Sequence, residues 1–259
     1  MPIIPISAGF QKWNNLLFRL KSKLIKKRVK RWQDVPIIIN NFNRLMYLQQ
    51  QIEWLEGVGL HNIHILDNNS NYPPLLEWYQ QCKFPIYSLN KNIGHEAFWT
   101  THVYQRFMHD YYVLTDPDVL PTAKTPTDFM PYFLDALERH PAYSKIGFGL
   151  KINDLPDHFP KKEEVLNWES TLNEKEVESG LWKSKIDTTF ALYRPGIMFQ
   201  QWETTLRTQG AMELRHMPWY EDVNNLSEED AFYYANCNAS SSWVNTVKGE
   251  DKRYIRFVR

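Results

Sequence analysis

The sequence has few cysteines, no long apolar run and no net charge. Cys82 and Cys237 are the cysteines in a chain of 259 residues, too few for a disulfide framework or a cysteine zinc cluster, and this favours a reducing compartment. No apolar run approaches the roughly 20 residues that span a membrane, and residues 1–6 lack the features of a signal peptide. Because 30 basic residues balance 30 acidic ones, the whole chain lacks the basic excess of a nucleic-acid-binding protein. We therefore expect a cytoplasmic protein.

This charge balance conceals a basic segment early in the sequence. Nine residues from Lys12 to Arg31 are basic and none is acidic. Apolar residues recur through this region at three- and four-residue steps, at Phe10, Trp13, Leu17, Leu20 and Leu24. The spacing predicts an amphipathic helix in residues 1–33, ahead of a single domain over residues 34–259. The helix is either an anchor on the anionic inner face of the cell membrane or an element packed on the domain with its basic face in solvent. No nucleic-acid-binding module accompanies it.

Strands and helices alternate after this segment. Continuous β-branched runs such as residues 35–39 are typical of strands buried in a parallel sheet. We expect strands at residues 35–39, 61–66, 84–89 and 111–115, separated by helices at residues 45–57, 75–81 and 95–108. Such units predict an α/β fold with a mainly parallel central sheet and helices on both faces. Ligands of these sheets bind beyond the carboxyl ends of the strands.

The second half of the sequence is less regular. We expect a helix at residues 127–139, a strand at 145–150, a charged segment at 161–179 that is helical or partly mobile, and a strand at 185–193. Ser227 is followed by Glu228, Glu229 and Asp230, and this pattern is typical of a helix that begins with a serine N-cap and acidic residues in its first turn.

The fourth expected strand ends in Asp116-Pro117-Asp118. Residues two apart in an extended chain project to the same side, so the two carboxylates would be presented together at the end of a buried strand. Such oxygen ligands suit Mg²⁺ or Mn²⁺, which keep their other positions for water and a diphosphate. The alternative interpretation is an ordinary turn, because Asp and Pro are common turn residues.

Six segments of the chain carry motifs in a fixed order. They are residues 35–41 as an opening strand, 67–70 as an acidic turn, 90–94 as the loop after the third strand, 116–118 as a metal motif, 190–194 as a strand and 229–230 as an acidic pair opening a helix. In order and spacing they resemble the family 2 glycosyltransferases of the GT-A fold. The resemblance implies a Rossmann-like nucleotide-diphospho-sugar transferase fold and transfer of a sugar from a nucleoside-diphosphate donor, with a UDP-sugar expected. It also implies a glycan or lipid-linked acceptor and a role in bacterial surface-polysaccharide synthesis.

The same resemblance assigns roles to the strand ends. The candidate donor-binding residues are Asn40, Asn41, Arg44, Asp67, Asn92, Gly94, His95 and Asp116. The alternative to donor binding for Asp67 is a role in forming the turn. Asp116 and Asp118 are the candidate ligands of Mn²⁺ or Mg²⁺, and His216 is a third candidate, because imidazole also suits Mn²⁺. An ordinary hydrogen-bonded histidine is the alternative for His216.

An acceptor hydroxyl needs a general base whose pKa is raised towards neutrality. Asp230 is the first candidate in a reaction that inverts the sugar configuration, with Glu229 beside it. Asp187 and Glu221 are the other candidates. Helix capping by itself would also explain the acidic residues around Asp230.

Two other functions compete with this one. A sugar-phosphate nucleotidyltransferase usually opens with a glycine-rich loop after its first strand, and residues 40–44 contain no glycine. A membrane-surface binding module that keeps the fold without catalysis is the second competitor. Metal-dependent turnover of nucleotide sugars distinguishes both from a glycosyltransferase.

Overall fold

A central mixed sheet organises the computed structural model, which describes residues 17, 20, 29–186, 189–196 and 204–237. In these residues, nine strands form the sheet. They are β1 (Ile37–Asn41), β2 (Ile63–Asp67), β3 (Ile86–Ser88), β4 (Tyr112–Thr115), β6 (Lys145–Gly147), β8 (Asn173–Glu178), β9 (Leu181–Ser184), β10 (Ala191–Tyr193) and β11 (Thr205–Thr208). A small sheet contains β5 (Val119–Pro121), β7 (Gly149–Leu150) and β12 (Glu213–His216).

The prediction of a mainly parallel sheet is confirmed. The strand order is β3-β2-β1-β4-β10-β6-β11-β9-β8. The first four strands in this order are mutually parallel, and β6 and β11 are parallel to each other. β10 is antiparallel to both of its neighbours, and β9 is antiparallel to β11 and β8. Within the described residues, β10 and β9 are therefore the only strands of the large sheet that run opposite to the others.

Helices cover both faces of this sheet. They are α1 (Met46–Gly57), α2 (Pro73–Tyr79), α3 (Ala97–Thr100), α4 (Tyr104–Phe107), α5 (Phe129–Arg139), α6 (Lys162–Ser170) and α7 (Glu228–Asn236), with short 3-10 turns at Trp32–Asp34, Gly94–Glu96 and Met217–Trp219.

Alternate residues of one strand supply the two apolar layers. Ile37 and Ile39 pack in a cluster with residues of α1, α2 and α5, whereas Ile38 packs in a second cluster with residues of α3 and α4. Successive side chains of a strand point to opposite faces, so a strand covered on both faces needs a continuous apolar run. Truncating Ile38 to alanine would cost about 2 to 5 kcal/mol of stability, since its side chain is fully buried.

Three segments differ from the sequence expectation. The helix expected at 95–108 is divided into α3 and α4, because the backbone of Thr101 is extended. The charged segment 161–179 is a helix only as far as Ser170, and it continues as the edge strand β8, which turns into β9 at Gly180 with a φ of +73°. The strand expected at 185–193 is limited to β10 in the described residues: residues 185–186 and 189–190 are not extended strand, and positions 187 and 188 lie outside the described residues.

The amphipathic helix of residues 1–33 lies largely outside the described residues and stays a prediction. Leu17 and Leu20 are helical. The first continuous segment starts at Val29, whose backbone N–H donates to the carboxylate of Asp110. No helix in the described part of the chain has the length and apolar character needed to cross a membrane.

Two parallel strands lead from the large sheet into the small one. β6 is paired with β11 in the large sheet, and their continuations β7 and β12 are paired in the small sheet. The strands approach closely at Gly149, where a Cβ atom would lie 2.2 Å from the carbonyl oxygen of Thr208. Glycine is therefore required at this junction.

Candidate active site

The carboxyl ends of β1, β2 and β4 meet at one edge of the large sheet. Asn41 pairs with Asp67, and Ile39 pairs with Thr115, the residue before Asp116. Parallel pairing therefore brings the polar residues that follow the three strands to one place, as the sequence predicts. We call this place the ligand edge.

Amide side chains connect the loops at this edge. Asn40 Nδ2 and Asn68 Nδ2 donate to the carbonyl oxygen of Gly94, at 3.3 Å and 2.9 Å. The Gly94 N–H donates to Asn92 Oδ1 at 2.8 Å, and the φ of Gly94 is +79°. This positive φ suits glycine, so Gly94 lets the third loop turn towards β1. His95 follows it as an exposed residue.

Asp67 is held by a tyrosine that the sequence did not indicate. Tyr79 OH donates to Asp67 Oδ1 at 3.1 Å and accepts a hydrogen bond from Asn41 Nδ2 at 2.9 Å. Burial raises the pKa of Tyr79, and the Asp67 carboxylate adds to this shift. Asp67 Oδ2 accepts from the Ser70 N–H at 3.2 Å, so Asp67 also has the turn-forming contact of the alternative interpretation.

An open cavity of about 270 Å³ adjoins these loops. One aromatic side chain and several amides line it: Phe42, Asn69, Ser70, Asn71, Asn92 and Asn236. Amide groups both donate and accept hydrogen bonds, and an aromatic ring offers a flat apolar face. The lining thus suits a planar polar ring.

The small sheet brings Asp118 and His216 together. Val119, the first residue of β5, pairs with His216 at the end of β12. The Met217 N–H also donates to the Asp118 carbonyl oxygen at 2.8 Å. As a result His216 Nε2 lies 3.8 Å from Asp118 Oδ2. The sequence placed these residues nearly 100 positions apart, so the pairing of β5 with β12 is what joins them.

Gln51 holds the loop that carries Asp118. Gln51 Nε2 donates to the carbonyl oxygens of Asp116 and Val119, both at 2.9 Å. The side chain is fully buried on α1. One amide therefore fixes both ends of the Asp-Pro-Asp loop.

The chemistry of this pair fits a divalent cation that a ligand helps to hold. Among the described residues, Asp118 Oδ1 is buried without a hydrogen-bond partner. Carboxylate oxygen and imidazole nitrogen are both ligands of Mn²⁺. Within the described ranges no three His, Cys, Asp or Glu side chains are grouped to hold a metal by themselves. A substrate diphosphate and water would have to complete the coordination.

A buried arginine connects the first loop to α7. Arg44 is 1% exposed, and its Nη1 donates to Asp230 Oδ1. Nη2 donates to Glu221 Oε1 at 3.2 Å, and the guanidinium carbon lies 3.9 Å from the ring centroid of Tyr233. Burial alone would lower the pKa of Arg44, but neighbouring carboxylates, Glu221 the most, raise it above its ordinary value. Asp118 is one of these carboxylates.

Two tyrosines complete the surroundings of Glu221. Tyr47 OH donates to Glu221 Oε1 at 2.9 Å, and Tyr234 OH donates to Oε2 at 2.5 Å. Burial raises the pKa of Glu221. Each carboxylate oxygen of Glu221 thus already accepts a hydrogen bond from a side chain.

The N-terminus of α7 follows the predicted pattern. Ser227 is the N-cap, and its Oγ accepts from the Asp230 N–H at 3.1 Å. Ser227 Oγ also donates to Asp230 Oδ2 at 2.5 Å. Glu229 accepts the Met46 N–H at 3.0 Å, so it caps the start of α1. Burial raises the pKa of Glu229.

Unpaired polar atoms accumulate at the ligand edge. Among the described residues, five buried atoms here have no hydrogen-bond partner: Asn40 Oδ1, Asn41 Oδ1, Arg44 Nε, Gln51 Oε1 and Asp118 Oδ1. Buried polar groups are nearly always paired, and each exception needs an explanation. A polar ligand at this edge would supply the missing partners for part of this set.

Two parts of the predicted site are not placed at the ligand edge by the described residues. Asp187 lies outside the described residues. In segment 190–194, only the start of β10 reaches towards the ligand edge, because β10 runs antiparallel to β4. Arg194 lies at the opposite end, where its Nε donates to the Tyr143 carbonyl oxygen at 2.8 Å.

Comparison with known proteins gives matches among solved structures. No protein-family model matches the chain, and no curated protein matches it. Glucosyl-3-phosphoglycerate synthase from Mycobacterium tuberculosis, in complex with Mn²⁺ and UDP-glucose, is similar with 12% identity and a TM-score of 0.40, over 75% of this chain and 62% of that one. Residues 1–349 of TarS from S. aureus are similar with 12% identity and a TM-score of 0.41, over 84% of this chain and 70% of that one.

The chain spans less than two thirds of the length of the synthase. A likeness at this identity and TM-score identifies no family, substrate, metal or activity for this chain.

Proposed function

We propose that the protein is a metal-dependent glycosyltransferase that moves a sugar from a nucleoside-diphosphate sugar, with a UDP-sugar as the expected donor. The observation that carries the proposal is the ligand edge itself. Unpaired buried polar atoms of β1 and α1 lie at the same edge as the Asp118–His216 pair. A ligand with a planar base, hydroxyls and a diphosphate has the chemistry to satisfy such a set.

The donor nucleotide would occupy the amide-lined cavity. Phe42 offers a ring face for the base, and Asn71 and Asn92 offer donors and acceptors at its edge. Asp67, oriented by Tyr79, would accept hydrogen bonds from the base or ribose. The Mn²⁺ complex with UDP-glucose in the similar synthase is compatible with a donor of this class.

Asp118 and His216 would hold Mn²⁺ or Mg²⁺ together with the diphosphate, and Asp116 would contact the metal, its water or the ribose. When bound, such a cation neutralises charge that develops on the leaving diphosphate. Gln51 keeps the loop of Asp118 in place through its contacts to Asp116 and Val119.

The acceptor hydroxyl would lose its proton to Asp230, in a reaction that inverts the anomeric carbon. Asp230 is 5% exposed and lies beside Arg44, whose electrostatic environment includes Asp118. Glu221 and Asp187 are the alternative bases. The acceptor would be a glycan or a lipid-linked saccharide of a surface polysaccharide, and the basic segment of residues 1–33 would hold the enzyme at the anionic inner face of the membrane.

The test is metal-dependent turnover of a panel of UDP-, GDP- and dTDP-sugars, with water or a short glycan as acceptor. Wild type should release nucleoside diphosphate with Mn²⁺ or Mg²⁺ and stop when EDTA is added. Asp118→Asn should abolish turnover and keep the circular dichroism spectrum. Asp128→Asn, which changes an exposed aspartate before α5, is the matched control and should remain active.

Full activity of wild type in EDTA would contradict the metal role. Formation of a nucleotide sugar from a sugar phosphate and a nucleoside triphosphate would instead establish the nucleotidyltransferase. Liposome binding without turnover of any nucleotide sugar would favour the non-catalytic module.

A further inference from the structure

Arg44 combines almost complete burial with contacts to two acidic side chains. Asp230 follows it by 186 positions and Glu221 by 177, and both accept hydrogen bonds from its guanidinium. A buried charge is costly unless its partners are well placed, so this arrangement demands a defined geometry. One cation faces two carboxylates here, which leaves the cluster rich in negative charge.

The orientation of the guanidinium is fixed from three directions. Its two terminal nitrogens each contact a different carboxylate, of Asp230 and of Glu221. Its plane lies against the Tyr233 ring at 3.9 Å. A planar guanidinium can make both kinds of contact at once, and a lysine ammonium, as a compact point charge, does not reproduce this geometry. The carboxylate of Glu221 is in turn held by Tyr47 and Tyr234.

These contacts bear on the expected role of Arg44. The sequence motif places Arg44 among the donor-binding residues, yet its terminal nitrogens face protein carboxylates. On the basis of the proposed function, we propose that Arg44 is a positioning residue that holds the Asp230 carboxylate in one orientation towards the acceptor. Glu221, with its two tyrosines, anchors Arg44.

The same contacts fix both oxygens of Asp230. Oδ1 accepts a hydrogen bond from Arg44, and Oδ2 accepts one from Ser227 Oγ. Removing the Arg44 contact should therefore leave the Asp230 carboxylate less firmly oriented.

The experiment compares Arg44→Lys, Arg44→Gln and the double variant Arg44→Gln/Glu221→Gln in the full chain. The double variant removes one charge of each sign, so it leaves no unpaired buried charge at Glu221. It therefore allows the measurement to be made if Arg44→Gln alone does not fold. The measurements are kcat with the best donor, and UDP affinity in the presence of Mn²⁺ by calorimetry. Arg207→Lys is the matched control, because Arg207 is also buried and paired with a carboxylate, that of Glu169.

We expect Arg44→Lys to lower kcat about 10- to 100-fold with UDP affinity within about twofold of wild type, because a small misplacement of a reacting group has effects of this size. In the glutamine variants kcat should fall at least as far, again with UDP affinity close to that of wild type. Arg207→Lys should leave both kcat and UDP affinity close to those of wild type.

Three results would overturn the assignment. A tenfold or greater loss of UDP affinity with unchanged kcat would make Arg44 a donor-binding residue. A loss of kcat in the Arg44 variants equal to that of Arg207→Lys would leave Arg44 a purely structural role. An active Asp230→Asn variant would remove the base that Arg44 is proposed to position. A wild-type protein that neither binds UDP nor turns over any nucleotide sugar would instead overturn the proposed function.

Discussion

Replacing Gln51 with methionine tests how the loop Asp116-Pro117-Asp118 is held in place. Both hydrogens of the Gln51 amide are used in bonds to the carbonyl oxygens of Asp116 and Val119, each 2.9 Å long. Methionine has a similar length and no donor, so the substitution removes the two bonds without opening a large cavity. We expect a protein that folds but holds Asp118 less firmly.

The size of the effect follows from the two bonds. A hydrogen bond within a protein contributes about 1 kcal/mol net, so the variant should lose about 2 kcal/mol of unfolding free energy. In a chain of this size that corresponds to a fall in Tm of about 4 to 8 °C. Because partners behind a metal ligand typically change metal affinity 10- to 100-fold, Mn²⁺ binding should weaken by about tenfold.

Urea unfolding measures the first quantity, and the electron paramagnetic resonance signal of free Mn²⁺ in the presence of UDP measures the second. Gln50→Met changes an exposed neighbour on the same helix and should alter neither quantity. Wild-type Mn²⁺ affinity in Gln51→Met, together with a stability change below about 0.5 kcal/mol, would refute the role of Gln51 as the residue that holds the loop.

Three further predictions concern other parts of the chain. Asp230→Asn should lower kcat about 100-fold with unchanged UDP affinity, and an active Asp230→Asn beside an inactive Asp187→Asn or Glu221→Gln would place the base elsewhere. Burial lowers the pKa of His64 from 6.5 to about 4, so the unfolded chain takes up the proton first and stability falls between about pH 6.5 and 4. In urea titrations at pH 7 and 4.5, His64→Phe should lose less stability than wild type. Removing residues 1–32 should weaken binding to anionic liposomes and spare turnover of a short acceptor, whereas equal binding would indicate a helix packed on the domain.

The strands of the first half of the fold were predictable because a strand buried on both faces is apolar at consecutive positions. Residues 35–39 are apolar at every position, and both faces of β1 are covered. Ser227 was predictable as a cap because capping acts over three residues, and its Oγ accepts the Asp230 N–H. Signals of this kind are local, so one sequence suffices to detect them.

The contacts that organise the site depend on residues far apart in the chain. Arg44 and Asp230 are 186 positions apart, and nothing in the spacing of either residue indicates the other. Tyr79 ends α2 with no sequence feature that connects it to Asp67. The buried position of Gln51 could have been detected from the sequence, because Gln51 is a polar residue within the apolar stripe of α1 between Leu48 and Leu55. A polar residue inside an apolar helix stripe indicates a buried hydrogen-bonding role.

The ribbon of β6 and β11 that continues into β7 and β12 makes the proposed cation site preorganised. His216 is carried by β12, and Gly149 lets that ribbon pass Thr208 without a gap. The conformational entropy lost in bringing His216 to Asp118 is therefore lost when the chain folds and not when a ligand binds. Ligand affinity is greatest where such ordering is already complete. Any closing motion on ligand binding would thus have to come from segments outside the small sheet, while Asp118 and His216 stay at a fixed separation.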